Sequence, residues 1–158
     1  VGSSTGGFTQ VLLKRGANKI YALDVGSNQL SSDLRKVSNI ISMEKKDIRN
    51  LERSFDLFFD MVVVDISFIS LLKVIYHINR VTKAPGEIVL LFKPQFEVGK
   101  KNLTKNGIVK DPKISLYAFL VMINELEKIG LEYQKTVKSE IKGKTGNQEI
   151  FVYLKKRE

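Results

Sequence analysis

The sequence contains no cysteine, which excludes disulfide staples and thiolate metal sites and suits a reducing cytoplasm. A lone histidine, His77, leaves little from which to build a zinc centre. It sits among apolar neighbours in a stretch that reads as helix, so it is expected to pack or to face solvent. Long hydrophobic runs are missing as well. Stretches such as IVLLF from Ile88 to Phe92 fall far short of the roughly 18 to 20 residues that span a bilayer, so no membrane insertion is expected, and nothing resembles a cleavable signal. Acidic residues are the scarcer charge, 17 against 26 Lys and Arg, giving a net charge of +9. Such a balance draws a domain to polyanions such as RNA or an anionic membrane surface, or simply keeps its surface solvated.

What is present fits one domain: 158 residues, 43% of them hydrophobic, are enough to bury a single core. Short runs rich in Val, Ile and Leu alternate with helix-like stretches, the pattern of an α/β fold with a mostly parallel sheet. Strands are expected at Lys19 to Val25, Asn39 to Lys45, Met61 to Ser67 and Glu87 to Lys93. The runs MVVV and IVLL lack polar alternation and read as buried on both faces. Phe8, Val11 and Leu12 make one helical stripe, closed by Gly16. A second helix starts at Ser70, carries Leu71, Val74, Ile75 and Ile78 inward and stops before Pro85 and Gly86; a third starts with Asp111 and Pro112, shows Leu116, Leu120 and Ile123 on one face and stops at Gly130. Leu131 to Glu140 and Gln148 to Lys155 read as an antiparallel pair joined by IKGKTGN. The stretch from Pro94 to Lys110 is expected to be a long lid or substrate loop without regular structure, and the closing YLKKRE a solvated end.

The glycine-rich opening VGSSTGGF has no strand before it, although such loops normally follow one and open a helix. Val1 is therefore expected to be a cut point in a longer protein. The spacing is not the GxGxxG of a pyrophosphate cradle, and a tight turn of small residues is the plain alternative. Asp24, near the end of the next expected strand, stands close to the offset at which a carboxylate accepts from ribose hydroxyls. Asp47, just past the following strand, is placed for an adenine amino group. Asp65 ends MVVVD and Lys93 ends LLFK; charges that close buried strands at the carboxyl edge point to chemistry, a rim ion pair being the alternative. Glu149, at the start of the last strand, is placed to reach the same crevice, or else is a solvated strand end.

Together VGSSTGGFT, YALDVGSNQL, VVVDISFISL, FKPQFEVGK, GIVKDP and GNQEIF resemble the TlyA or hemolysin A group of the FtsJ-like ribosomal RNA 2′-O-methyltransferases. The resemblance implies a Rossmann-like methyltransferase domain over residues 1–158, its sheet ending in an antiparallel hairpin, that binds S-adenosyl-L-methionine and methylates a ribose 2′-hydroxyl of ribosomal RNA or ribosomal subunits in the cytoplasm. It implies cofactor contacts from Gly2, Ser3, Ser4, Thr5, Gly6, Gly7, Phe8, Asp24, Val25, Asp47, Ile48 and Asp65. Of the family's Lys-Asp-Lys-Glu tetrad, Asp65, Lys93 and Glu149 match. The first lysine, the first strand and the group's small N-terminal RNA-binding domain would all lie upstream of Val1, so a weakened cofactor pocket and little activity are expected of the chain as it stands.

The chemistry agrees. A 2′-hydroxyl is a poor nucleophile, so Lys93 must give up its own proton before it can take another, a loss that partial burial and a second lysine would favour. Lys100, Lys101, Lys105 and Lys110 on the long loop, with Lys142 and Lys144 in the hairpin turn, are candidate phosphate contacts. A nicotinamide-dependent oxidoreductase would explain the loop and Asp24 but not Lys93 or Glu149. A membrane-active hemolysin finds little mechanism in buried-strand periodicity, and a catalytically weak RNA-binding Rossmann domain is the remaining alternative.

Overall fold

The apolar runs marked by the sequence all become strands in a computed structural model that describes residues 1–51, 57–141, 143 and 146–157. The chain divides into two compact units, Val1–Asp56 and Leu57–Glu158.

The first unit contains α1 (Gly7–Lys14), β1 (Ile20–Leu23), α2 (Ser32–Arg35) and β2 (Ile40–Met43). The strands pair in parallel from Ile20↔Ile40 to Leu23↔Met43. Ile20, Ala22, Leu30, Leu34 and Ile40 form the core, with Leu12, Leu13, Ala17 and Val37 packed against it. The inward stripe of α1 runs through buried Thr9 and half-buried Leu12 and Leu13, while Val11 is 53% exposed. The helix starts at Gly7, and successive side chains turn by about 100°, so Val11 points away from the face that Thr9 shares with Leu12. Gly16 takes the left-handed conformation after the helix, φ 82°, and donates to Leu13 O.

The second unit contains β3 (Phe59–Val64), α3 (Ile75–Val81), β4 (Thr82–Phe92), α4 (Pro94–Glu97), α5 (Pro112–Lys128), β5 (Leu131–Lys138) and β6 (Ile150–Lys156). The sheet order is β3-β4-β6-β5. β3 and β4 run parallel, and β6 runs antiparallel to both β4 and β5. The expected hairpin therefore exists, with its second strand inserted beside β4. Register aligns one edge of the sheet: Val64 pairs with Leu90 and Phe92 with Ile150, which brings the carboxyl ends of β3 and β4 and the start of β6 to one side. Val64, Ile88, Leu90, Phe92, Val152 and Leu154 are each fully buried.

Several local expectations change. Ser70 caps a 3-10 turn, Leu71–Lys73, and the α-helix proper begins at Ile75; the inward residues Leu71, Val74, Ile75 and Ile78 are buried as expected. β4 begins at Thr82 directly after that helix, its register with β3 jumping between Phe59 and Met61, an irregularity of the kind that admits Pro85 within a strand. On α5, Met122 and Leu126 are buried, whereas Leu116 and Leu120 are 59% and 56% exposed. Pro94 to Lys110 is not structureless: it holds α4, a 3-10 turn at Lys100–Asn102 and a bridge between Leu103 and Val109. Nor is the end of the chain simply solvated. Lys156 Nζ donates to Asn79 O and Thr82 O at 2.7 and 2.9 Å, capping the last turn of α3, and its burial pushes its pKa down.

Candidate active site

In the first unit the glycine loop is stitched to the carboxyl end of the strands. Gly2 N and Ser3 N both donate to Leu23 O, Gly6 N to Ser3 O, and Ser31 N to Thr5 O. Asp24 stands immediately after β1 and is 9% exposed. Its carboxylate accepts from Ser4 N and Gly26 N, each at 2.7 Å. The loop N–H groups at Gly2, Ser3, Ser4 and Gly6 are thus committed inside the unit, where the sequence suggested a ligand for them. Glycine is required at position 6: φ is 108°, and a Cβ there would sit 2.2 Å from Leu34 Cδ1. A Cβ on Gly7 would meet nothing within 4 Å, so the start of α1 faces open space. Val25 is 68% exposed and Ile48 is buried. Asp47 caps the turn Ile48–Asn50, accepting from Arg49 N and from the Arg49 guanidinium.

In the second unit the strand ends converge. Lys93 Nζ lies 2.6 Å from Asp65 Oδ1, with side-chain exposures of 12% and 30%, and donates to Ser67 Oγ at 3.0 Å. The rim ion pair and the candidate catalytic pair are therefore the same two residues. Glu149 precedes β6, and its Oε1 accepts from Gln95 Nε2 at 3.2 Å. Gln95 follows Lys93 by two residues, so one turn presents the lysine and meets the second carboxylate. Gly143 closes on the same group, since a Cβ there would come within 2.6 Å of Glu149 Oε1.

Sequence reasoning missed the groups around this edge. Glu97, mostly buried, accepts from Ser70 Oγ at 2.6 Å and Leu71 N at 2.9 Å, and burial raises its pKa above the usual 4.5. Phe68 is 92% exposed with φ 67°, and its ring meets Phe96 at 5.2 Å between centroids. Asn147, 5% exposed, accepts from Val109 N and donates to Gly107 O, pinning the lysine-bearing loop to the segment before β6. On that loop Lys100, Lys101, Lys105 and Lys110 are exposed, although Lys110 Nζ folds back to Lys101 O. Lys142 and Lys144 lie outside the described residues. Among the described residues no cluster of His, Asp and Glu could hold a metal ion, and no helix is long and apolar enough to cross a membrane.

The family described as FtsJ-like methyltransferase matches residues 1–156. The 23S rRNA (cytidine-2′-O)-methyltransferase TlyA of Campylobacter jejuni is 47% identical over 154 residues, covering 97% of this chain and 59% of that relative. The solved structure of a candidate hemolysin from Streptococcus thermophilus is 34% identical with a TM-score of 0.93, over 100% of this chain and 58% of the other. The chain thus spans less than two thirds of these relatives. A candidate S-adenosylmethionine-dependent methyltransferase from Listeria monocytogenes, 14% identical, superimposes with a TM-score of 0.71 over 100% of this chain and 89% of its own, a likeness of fold.

Proposed function

Because the chain belongs to the FtsJ-like methyltransferase family, we propose that it is the S-adenosyl-L-methionine-dependent domain of a ribosomal RNA methyltransferase acting on a ribose 2′-hydroxyl. Both compact units belong to that one domain in this reading. The Campylobacter relative carries the corresponding activity in its name. The observation that carries the reading is the Lys93–Asp65 pair at the carboxyl edge of β3 and β4, with Glu149 held by Gln95 at the adjoining end of β6.

The residues of the first unit fit the cofactor. An acceptor-only carboxylate, Asp24, stands at the strand end, and its oxygens have capacity for donors beyond Ser4 N and Gly26 N. Gly7 leaves space open at the start of α1. Gly2, Ser3, Ser4, Thr5, Gly6 and Phe8 complete the loop that would hold the methionine end, and Val25, Asp47 and Ile48 the ribose and adenine side. When bound, the cofactor supplies an electrophilic methyl group on a sulfonium.

The work of the second unit is on the acceptor. With the cofactor bound, Lys93 would take the proton of the 2′-hydroxyl that accepts the methyl group. Asp65 and Ser67 hold the lysine side chain in one place, and Glu149 orients the ribose. The exposed lysines of the 100–110 loop supply a sequence-independent attraction to RNA phosphates. In this reading the activity belongs with ribosomes in the cytoplasm. The test is twofold and uses the protein at its natural full length. S-adenosylmethionine is expected to raise its melting temperature where NAD does not, and labelled cofactor is expected to mark ribosomal RNA in a reaction that Lys93→Ala abolishes. Stabilisation by NAD alone, or label transfer untouched by Lys93→Ala, contradicts the reading.

A further inference from the structure

The segment from Asp65 to Ser70 has no regular secondary structure, yet it carries Asp65, Ser67 and Phe68. A segment without ladder or helix hydrogen bonds keeps one geometry only if side chains impose it. The Lys93–Asp65 and Lys93–Ser67 contacts fasten its start. Its far end is fastened by Glu97, whose two carboxylate oxygens accept separately from Ser70 Oγ and Leu71 N. Between these two fastenings the Phe68 ring rests against Phe96, which neighbours Glu97. An apolar side chain would fill the place of Glu97 without the desolvation that a buried carboxylate incurs. What the carboxylate adds is a paired, directional hold on a loop that cannot hold itself.

Building on the methyl-transfer reading, we propose that Glu97 is a positioning residue of that reaction: it locks the Asp65–Ser70 loop onto the turn that presents Lys93. Glu97 acts through the loop and is not itself assigned to the reacting atoms. Loss of the lock lets Asp65 and Ser67, the two groups that hold Lys93, drift, and a displacement of about 1 Å at reacting groups can lower rate by about a hundredfold. The cofactor residues of the first unit are untouched.

The experiment compares wild type, Glu97→Ala, Glu97→Gln and Ser70→Ala in the full-length protein, with labelled S-adenosylmethionine and ribosomal RNA. Glu97→Ala is expected to lower kcat at least about tenfold while the cofactor Kd and the KM for RNA stay within about twofold. Glu97→Gln, which can still accept from Leu71 N and donate to Ser70 Oγ, is expected to recover most of kcat. Ser70→Ala is expected to lose a few-fold, and to add nothing when combined with Glu97→Ala. Wild-type kcat in Glu97→Ala overturns the proposal. So does a loss that Glu97→Gln shares in full, or one in which cofactor Kd and KM worsen as much as kcat. Failure of the wild-type protein itself to transfer label would instead refute the methyl-transfer reading.

Discussion

Phe68 bears two costs at once. Its ring is 92% exposed to water, and its backbone sits at φ 67°, a region that bulky residues rarely occupy. A flat aromatic that directly follows Ser67, the partner of Lys93, is suited to stack on an unstacked nucleobase, which every base permits through its π-face. Phe68→Ala is expected to forfeit about 1–3 kcal/mol of stacking, read as a fall of about 5- to 150-fold in kcat/KM for RNA with the cofactor Kd unchanged; Phe68→Trp is expected to retain most of the rate. Nothing in the sequence marked this residue, because an aromatic among Ile and Ser reads as the lead-in to a helix and its conformation is imposed by the folded loop. Asp65 and Lys93 were legible, since a charge closing an all-apolar strand is conspicuous without any structure. Glu97 gives a second residue-scale prediction. Burial holds its pKa above 4.5, so the folded state binds the proton more tightly than the unfolded chain. This group therefore costs stability progressively as pH rises from about the ordinary carboxylate value through its raised folded value, and the cost is absent below that window. Glu97→Gln removes the titration, so its melting temperature relative to wild type is expected to be higher at pH 7 than at pH 4. No change in that difference between the two pH values contradicts the assignment.

Elements were legible where one periodicity dominates. MVVV and IVLL became β3 and β4 as expected, but not buried on both faces: Met61 is 40% exposed and Val63 and Val89 are half-buried, so one face of each run is only partly covered. The face of α5 was not legible, because Ile114, Leu116, Tyr117, Phe119, Leu120, Val121, Met122 and Ile123 place apolar side chains around most of its circumference. Packing chose the side with Met122 and Leu126, with Phe119 edge-on to Phe92 at 5.4 Å. The Pro94–Lys110 stretch was misread as irregular in part because its far end is held by Asn147, distant in sequence, which satisfies Val109 N and Gly107 O. Asn147→Ala would leave two backbone groups without these partners, at about 1–3 kcal/mol for each that stays buried. The expected outcome is a lower melting temperature with faster amide exchange at Val109, while exchange across β3 and β4 is unchanged. Unaltered exchange at Val109 would show that the loop is ordered by something else.

At the scale of the whole molecule, the Rossmann-like methyltransferase fold puts chemistry where strands end. Asp24 directly follows β1, Asp65 follows β3, Lys93 follows β4, and Glu149 directly precedes β6. The positive balance, 26 basic against 17 acidic residues, matches a polyanionic substrate, and the lysines of the 100–110 loop place part of it on the second unit. The account as a whole makes the Lys93 amine the base for a ribose hydroxyl, and a 2′-O-methyl group leaves a chemical record by blocking alkaline cleavage of the adjoining phosphodiester. The most direct test maps alkaline resistance across the ribosomal RNA of cells that lack the protein and of the same cells given back wild type or Lys93→Ala. The account predicts at least one nucleotide that is resistant with wild type and cleaved both in its absence and with Lys93→Ala. Identical cleavage maps in all these cells, or resistance restored equally by Lys93→Ala, would contradict it.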